Sequence, residues 1–153
     1  MIDKKQLIQA IISILTPAPV AFASGSAITL LVLTAATESK GGTYIKQING
    51  PACGIFQMEP FTCRDIEARA PGALHEWLVK MRGDYEHDYA MTYHLDYAIA
   101  VARVKYFMVR EPLPTPDNII GMALYWKKYW NTYEGAGKVD TAVDNYNLYI
   151  GKG

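Results

Sequence analysis

Ser24-Gly25-Ser26-Ala27-Ile28-Thr29-Leu30-Leu31-Val32-Leu33-Thr34-Ala35-Ala36-Thr37-Glu38-Ser39 follows an apolar stretch that starts at Leu7, and Leu7 to Leu33 carries almost no charge. Two readings of this region compete. A secretion signal would use Lys4 and Lys5, the run Leu7 to Leu15, and Ala21-Phe22-Ala23 as a cleavage site. Pro17 and Pro19 split the region in the middle, because proline removes a backbone donor and clashes inside a helix. Neither half reaches the roughly 20 apolar residues of a bilayer span. The region therefore predicts two short core helices, about Lys4 to Leu15 and about Ser26 to Ser39. Ser24-Gly25-Ser26 offers an N-cap for the second, and Gly41-Gly42 a stop.

On that second helix Leu31, Thr34, Ala35 and Glu38 share a face at i, i+3, i+4 and i+7. A carboxylate thus ends an otherwise apolar stripe. Desolvation raises its pKa, and so does the negative end of the helix dipole. Both favour a protonated acid near neutral pH, which a general acid requires. The competing reading is that Glu38 turns into solvent at a frayed helix end.

Outward from this point the chain continues to read as helical. Lys40 to Pro60 has no helical period and predicts a long loop or small β-hairpin. Phe61 to Ala70 and Ala73 to Arg82 predict short helices, ended by Pro71-Gly72 and Gly83. Leu95 to Val109 predicts a strong helix with Leu95, Ile99, Ala102, Tyr106 and Val109 on one face. Pro112, Pro114 and Pro116 form a rigid connector, Asp117 is the expected cap of a helix from Ile119 to Trp130, and Val139 to Ile150 closes the chain. With 153 residues, half of them hydrophobic, this predicts one mainly α domain spanning residues 1–153. Its long irregular segment is the place to look for function.

Charge and motif content exclude several classes. Fifteen basic against fifteen acidic residues leave no net charge and no basic run, which argues against nucleic-acid binding. His75, His87 and His94, with Asp84, Asp88 and Asp96, lack the i, i+4 histidine spacing of zinc enzymes and read as solvated surface, so no metal or cofactor is expected. Cys53 and Cys63 match no zinc spacing and are too few for a disulfide framework; a single pair between them stays open, with two free thiols as the blander reading. No base accompanies Cys53 as a nucleophile, and no phosphate loop or serine elbow is present.

Two further segments carry polar groups suited to a site. Gly54-Ile55-Phe56-Gln57-Met58-Glu59-Pro60 combines a glycine, two apolar anchors, a two-way hydrogen-bonding amide and a second carboxylate. Its bland reading is a loop entering a helix, with Glu59 as dipole partner. Ala123-Leu124-Tyr125-Trp126-Lys127-Lys128-Tyr129-Trp130-Asn131-Thr132 offers aromatics that line a sugar groove or fill the core.

Glu38-Ser39, Gly54-x-x-Gln57 and the helical Ala123-x-Tyr125 together resemble the lysozyme-like superfamily, in its goose-type lysozyme and soluble lytic transglycosylase branches. Thr37-Glu38-Ser39, Lys46-Gln47, Gly50-Pro51-Ala52, Gly54 to Pro60, Asp65-Ile66, Glu111-Pro112-Leu113-Pro114, Tyr125-Trp126-Lys127, Asn131-Thr132 and Gly135-Ala136-Gly137 resemble a group of small tailed-phage proteins carrying such a domain. The resemblance runs from about Ser26 to Tyr146. It implies a helical fold with an active-site cleft, and cleavage of the β-1,4 bond between N-acetylmuramic acid and N-acetylglucosamine in peptidoglycan glycan strands. It implies Ser26 to Ser39 as the catalytic helix, hence no removed signal.

Carried over by position, Glu38 matches the general acid, and Gln57 with Ile55 and Phe56 the segment beside the scissile bond. Tyr125 is the expected hydrogen-bond partner of Glu38, with Tyr129 and the Asn131-Thr132 pair beside Trp130 as alternatives. Glu59, two residues after Gln57, matches an acidic residue of goose-type enzymes that holds the attacking water. A second, upstream acid has no counterpart, since Gln47 and Asn49 occupy that region. Hydrolysis is therefore expected. Lytic transglycosylation to anhydro products is the first alternative, and a virion structural protein retaining the fold is the second. The resemblance further implies synthesis in a host bacterium's cytoplasm. Later residence would be in a phage particle, among other virion proteins, or in the periplasm and wall.

Overall fold

Residues 1–131, 135 and 137–151 are described by a computed structural model, and they are mainly helical. The two expected N-terminal helices both form, α1 over Lys4–Leu15 and α2 over Gly25–Ser39. Asp3 caps α1 by accepting from the backbone N–H groups of Lys5 and Gln6 at 2.9 and 3.1 Å, and Ser24 caps α2 by accepting from Ala27 at 3.1 Å. Lys40, in the left-handed region with φ 51°, ends α2. Leu7, Ile11 and Leu15 recur every four residues and are fully buried, so α1 is a one-sided core helix. The interior of α2, from Leu30 to Ala36, is buried on every side, so α2 is the central helix. No helix among the described residues is long and apolar enough to cross a membrane.

Six more α-helices follow: α3 Pro60–Arg69, α4 Ala73–Arg82, α5 His87–Tyr93, α6 Leu95–Phe107, α7 Ile119–Trp126 and α8 Val139–Gly151. α8, α7, α1 and α6 all pack on α2. α6 is the second buried helix, and the Thr34 hydroxyl of α2 meets the Tyr106 hydroxyl of α6 at 2.8 Å. α6 stops at Phe107, so Val109 lies beyond it. Asn118, not Asp117, caps α7, accepting from Gly121 N–H at 2.9 Å. α7 gives way at Lys127 to a π-helical turn, Lys127–Asn131, where the sequence predicts continuous α-helix to Trp130.

α5 is absent from the sequence reading because it is short and carries acidic and aromatic residues without a clear period. Tertiary contacts hold it. Glu67 of α3 is buried and receives two 2.9 Å hydrogen bonds from the Arg82 guanidinium of α4, one from the Tyr97 hydroxyl of α6, and the imidazole of His87 at 3.3 Å. Burial alone would raise the Glu67 carboxyl. The hydrogen bonds from Arg82 and Tyr97 and the neighbouring positive charge outweigh it and hold the group down at about 2. His87 and His94 are half-buried, against the expectation of solvated surface. Cys53 and Cys63 are free, buried thiols.

Candidate active site

Residues 43–58 form the irregular segment, and its backbone is more ordered than a loop reading implies. Cys53 and Met58 exchange N–H···O bonds of 2.9 and 3.0 Å, Gln47 N–H reaches Ala52 O, and Gly54 N–H reaches Ile45 O at 2.8 Å. Isolated antiparallel bridges join Lys46 to Cys53 and Cys53 to Met58, so the small-hairpin alternative describes it better. Gly54 takes φ +75°, and a Cβ there would lie 2.0 Å from the carbonyl oxygen of Met91. Only glycine permits that approach. The last turn of α5 therefore backs the Gly54–Gln57 turn directly.

The same turn is tied to α2 through Ser39. Its buried hydroxyl donates to Ile55 O at 2.6 Å and accepts from Gly42 N–H at 2.8 Å. The residue beside Glu38 thus fixes the end of α2 to the turn. Ile55 and Phe56 are both buried and anchor the turn from beneath, with Phe56 packing against Trp130 at 6.2 Å between ring centroids. They do not line the surface, contrary to the expectation for substrate-contacting residues. Gln57 does. Its backbone is left-handed (φ 48°), and its side-chain amide donates to Gly54 O at 2.8 Å.

Between these elements lies a cleft of about 610 Å³, lined by Glu38 and Lys105 on one side and by Gln57, Glu59, Trp130 and Asn131 among others around it. A smaller pocket of about 190 Å³ adjoins it and shares Glu38, Gln47 and Gln57. Glu38 therefore stands where two parts of one groove meet. Glu59, at the N-cap of α3, is exposed at the groove's edge.

Burial pushes the Glu38 carboxyl up to about 7, against the lowering effects of a hydrogen bond from Trp126 and the charge of Lys105. The bond runs from the indole Nε1–H to Oε1 at 2.9 Å. Indole nitrogen can only donate. Oε1 is thereby fixed as the acceptor, and Oε2 is the oxygen free to carry the proton. Lys105, on α6, lies with its ammonium 4.2 Å above the Trp130 ring. Burial lowers it to about 8, opposed by the charge of Glu38.

Tyr125 does not reach Glu38. Its hydroxyl donates to Glu111 O at 2.8 Å, and the Tyr129 hydroxyl bonds the Glu111 carboxylate. The two tyrosines, 4.7 Å apart, instead anchor the start of the proline connector. The reason is helical register. Trp126, one residue on, is rotated by about 100° from Tyr125 in an α-helix of 3.6 residues per turn and faces α2. The π turn then brings residue i+5 back over residue i, so Asn131 returns beside Trp126 and lines the cleft with Trp130. Lys127 holds Asn131 in place, donating to its Oδ1 at 2.7 Å and to Gly135 O at 2.8 Å. Thr132 and Ala136, quoted with the motifs, lie outside the described residues.

The sequence reading missed Trp126 and Lys105. Trp126 stood inside a quoted motif but beside the residue favoured there. Lys105 carried a signal that went unused: it is the one ionic side chain after Arg103 on a helix buried over nearly its whole length. Among the described residues no group of three histidine, cysteine or acidic side chains is placed to hold a metal.

No family model, curated protein or solved structure matches the chain.

Proposed function

We propose that the chain is a peptidoglycan-cleaving muramidase acting on the β-1,4 bond between N-acetylmuramic acid and N-acetylglucosamine. The observation that carries the reading is Glu38, a carboxyl that lines the groove, raised by burial to about 7 and oriented by one hydrogen bond from Trp126. Protonated on Oε2, it gives its proton to the glycosidic oxygen as the bond from that oxygen to the sugar carbon breaks. Water then attacks the sugar carbon from the opposite face and passes a proton to Glu59. Inverting hydrolysis needs such a second carboxylate, roughly 6.5–9.5 Å from the acid to leave room for water. Glu59 is the other carboxylate lining the cleft among the described residues. Gln57, Gln47 and Asn131 supply amides that pair with sugar hydroxyl and acetamido groups. A phage origin, for wall penetration or lysis, belongs to this reading by the resemblance alone.

Digestion of purified peptidoglycan with mass analysis of the fragments tests it. Reducing muramic acid ends are expected, with activity down about 100-fold or more in Glu38→Gln and strongly reduced in Glu59→Gln. Fragments lighter by one water, with Glu59→Gln active, would replace hydrolysis by lytic transglycosylation, in which the sugar's own 6-hydroxyl attacks. No release by folded protein, or full activity in Glu38→Gln, would overturn the enzyme reading and favour a virion structural role.

A further inference from the structure

The cleft holds a cation that the chemistry above leaves unemployed. α6 is buried from Tyr97 to Val104, and Arg103 on it behaves as a buried cation ordinarily does: its Nε donates to Phe22 O at 3.2 Å and its guanidinium stacks on the Phe22 ring at 4.7 Å. Lys105 differs. Among the described residues its ammonium has no hydrogen-bond acceptor and no carboxylate within 4.0 Å, only the Trp130 face beneath it. It is the cationic side chain lining the 610 Å³ cleft, and the other cation nearby, Lys127, is already occupied by Asn131 and Gly135. Besides the carboxyls of Glu38 and Glu59 and the Thr62 hydroxyl, the polar side chains lining the cleft are the amides of Gln47, Gln57 and Asn131, which bind neutral sugar substituents equally well in any amino-sugar polymer. Glu38 is neutral below about pH 7 and does not compensate the ammonium there. A partly desolvated cation, held on an aromatic face, open to a groove and without a carboxylate within 4.0 Å among the described residues, is suited to receive an anion from a ligand.

We propose that Lys105 recognises a carboxylate carried by the glycan, so that the cleft binds an acidic amino-sugar polymer in preference to a neutral one. This rests on reading the cleft as a glycan site. Two groups of peptidoglycan supply the same chemistry: the lactyl carboxylate of N-acetylmuramic acid where no peptide is attached, and the carboxylates of the stem peptide where one is.

Titration calorimetry at pH 6 and low salt tests this. The protein carries Glu38→Gln so that no cleavage intrudes. The probes are three tetrasaccharides: a neutral N-acetylglucosamine oligomer, a peptide-free muramyl oligomer and a peptide-bearing one. At least one acidic probe is expected to bind roughly tenfold tighter than the neutral one, the order of one charge-assisted hydrogen bond. Lys105→Met brings that ratio close to one, and Lys105→Arg largely retains it. Preference for the peptide-free probe assigns the lactyl group, and preference confined to the peptide-bearing probe assigns the stem. Equal binding of all three, or a ratio unaltered in folded Lys105→Met, overturns the proposal. Digestion of peptidoglycan by the unmutated protein decides the muramidase reading separately. Discrimination without cleavage removes that reading alone, and cleavage without discrimination removes this one.

Discussion

Replacing Trp126 by phenylalanine tests how Glu38 keeps its proton. The ring remains and so does most of the burial, but the 2.9 Å bond from Nε1 to Oε1 is lost. A hydrogen bond to a neutral acceptor contributes about 1 kcal/mol net, and one to a charged acceptor about 1.5–3 kcal/mol. Only the difference, about 0.5–2 kcal/mol, bears on the titration midpoint. At about 1.4 kcal/mol per pH unit the midpoint rises by about one pH unit, from about 7 in the unmutated protein. The assay is an NMR titration of 13C-labelled glutamate side-chain carboxyls, with Glu38→Gln identifying the resonance. It reads the carboxyl whether or not the protein is an enzyme. Where peptidoglycan cleavage is observed, its alkaline limb follows the same midpoint, because a general acid works protonated: activity holds below the midpoint and falls above it. A Glu38 midpoint near 4.5 in the unmutated protein, or superposed curves for the two proteins, would refute the reasoning.

Two other perturbations probe the scaffold. The Glu67 carboxyl is held at about 2, below its ordinary value of 4.5, so its contribution is present above about pH 4.5 and is lost as pH falls towards 2. At about 1.4 kcal/mol per unit this amounts to roughly 3 kcal/mol. Urea unfolding at pH 6 and pH 3 should show Glu67→Gln much less stable at pH 6 and less sensitive to acid than the unmutated protein; parallel losses would refute the assignment. Gly54→Ala places a Cβ against Met91 O at a positive φ, and should cost roughly 2 kcal/mol or more, read as a fall in Tm. An unchanged Tm would mean that α5 moves away freely.

What the sequence made legible was local. The caps Ser24 and the proline pair fixed α1 and α2, and the stripe Leu31, Thr34, Ala35, Glu38 placed the carboxylate at the end of a buried helix. The positions of Gly54 and Gln57 followed from their special backbone and polar character. What it hid depends on contacts between distant segments. α5 is tied down through His87, 3.3 Å from the Glu67 carboxylate that Arg82 and Tyr97, from two further helices, also bond. The π turn at Lys127–Asn131 has no periodic signature in so short a stretch, yet it decides that Asn131 and Trp130 share the cleft. The tyrosines were misjudged for the same reason: Tyr125 and Tyr129 have the right chemistry and the wrong face.

That Glu38 is held by an indole and not by a phenol has a chemical consequence. A phenolic hydroxyl both donates and accepts, so it can hydrogen-bond either the ionised or the protonated oxygen of a carboxyl. Beside such a group the proton can reside on either oxygen. An indole N–H has no acceptor, and the carbonyl-type oxygen of a protonated carboxyl is the better acceptor for it. The proton is therefore favoured on Oε2 before any substrate arrives. One fixed donor thus does for Glu38 what several would do elsewhere: it sets the orientation of the acid. Its energetic effect points the other way, since the bond favours the ionised form and burial must overcome it. The site consequently depends on staying partly desolvated. Opening the wall formed by α7 and the Gly54–Gln57 turn would lower the Glu38 midpoint and leave the acid ionised at neutral pH, with every residue of the cleft still present.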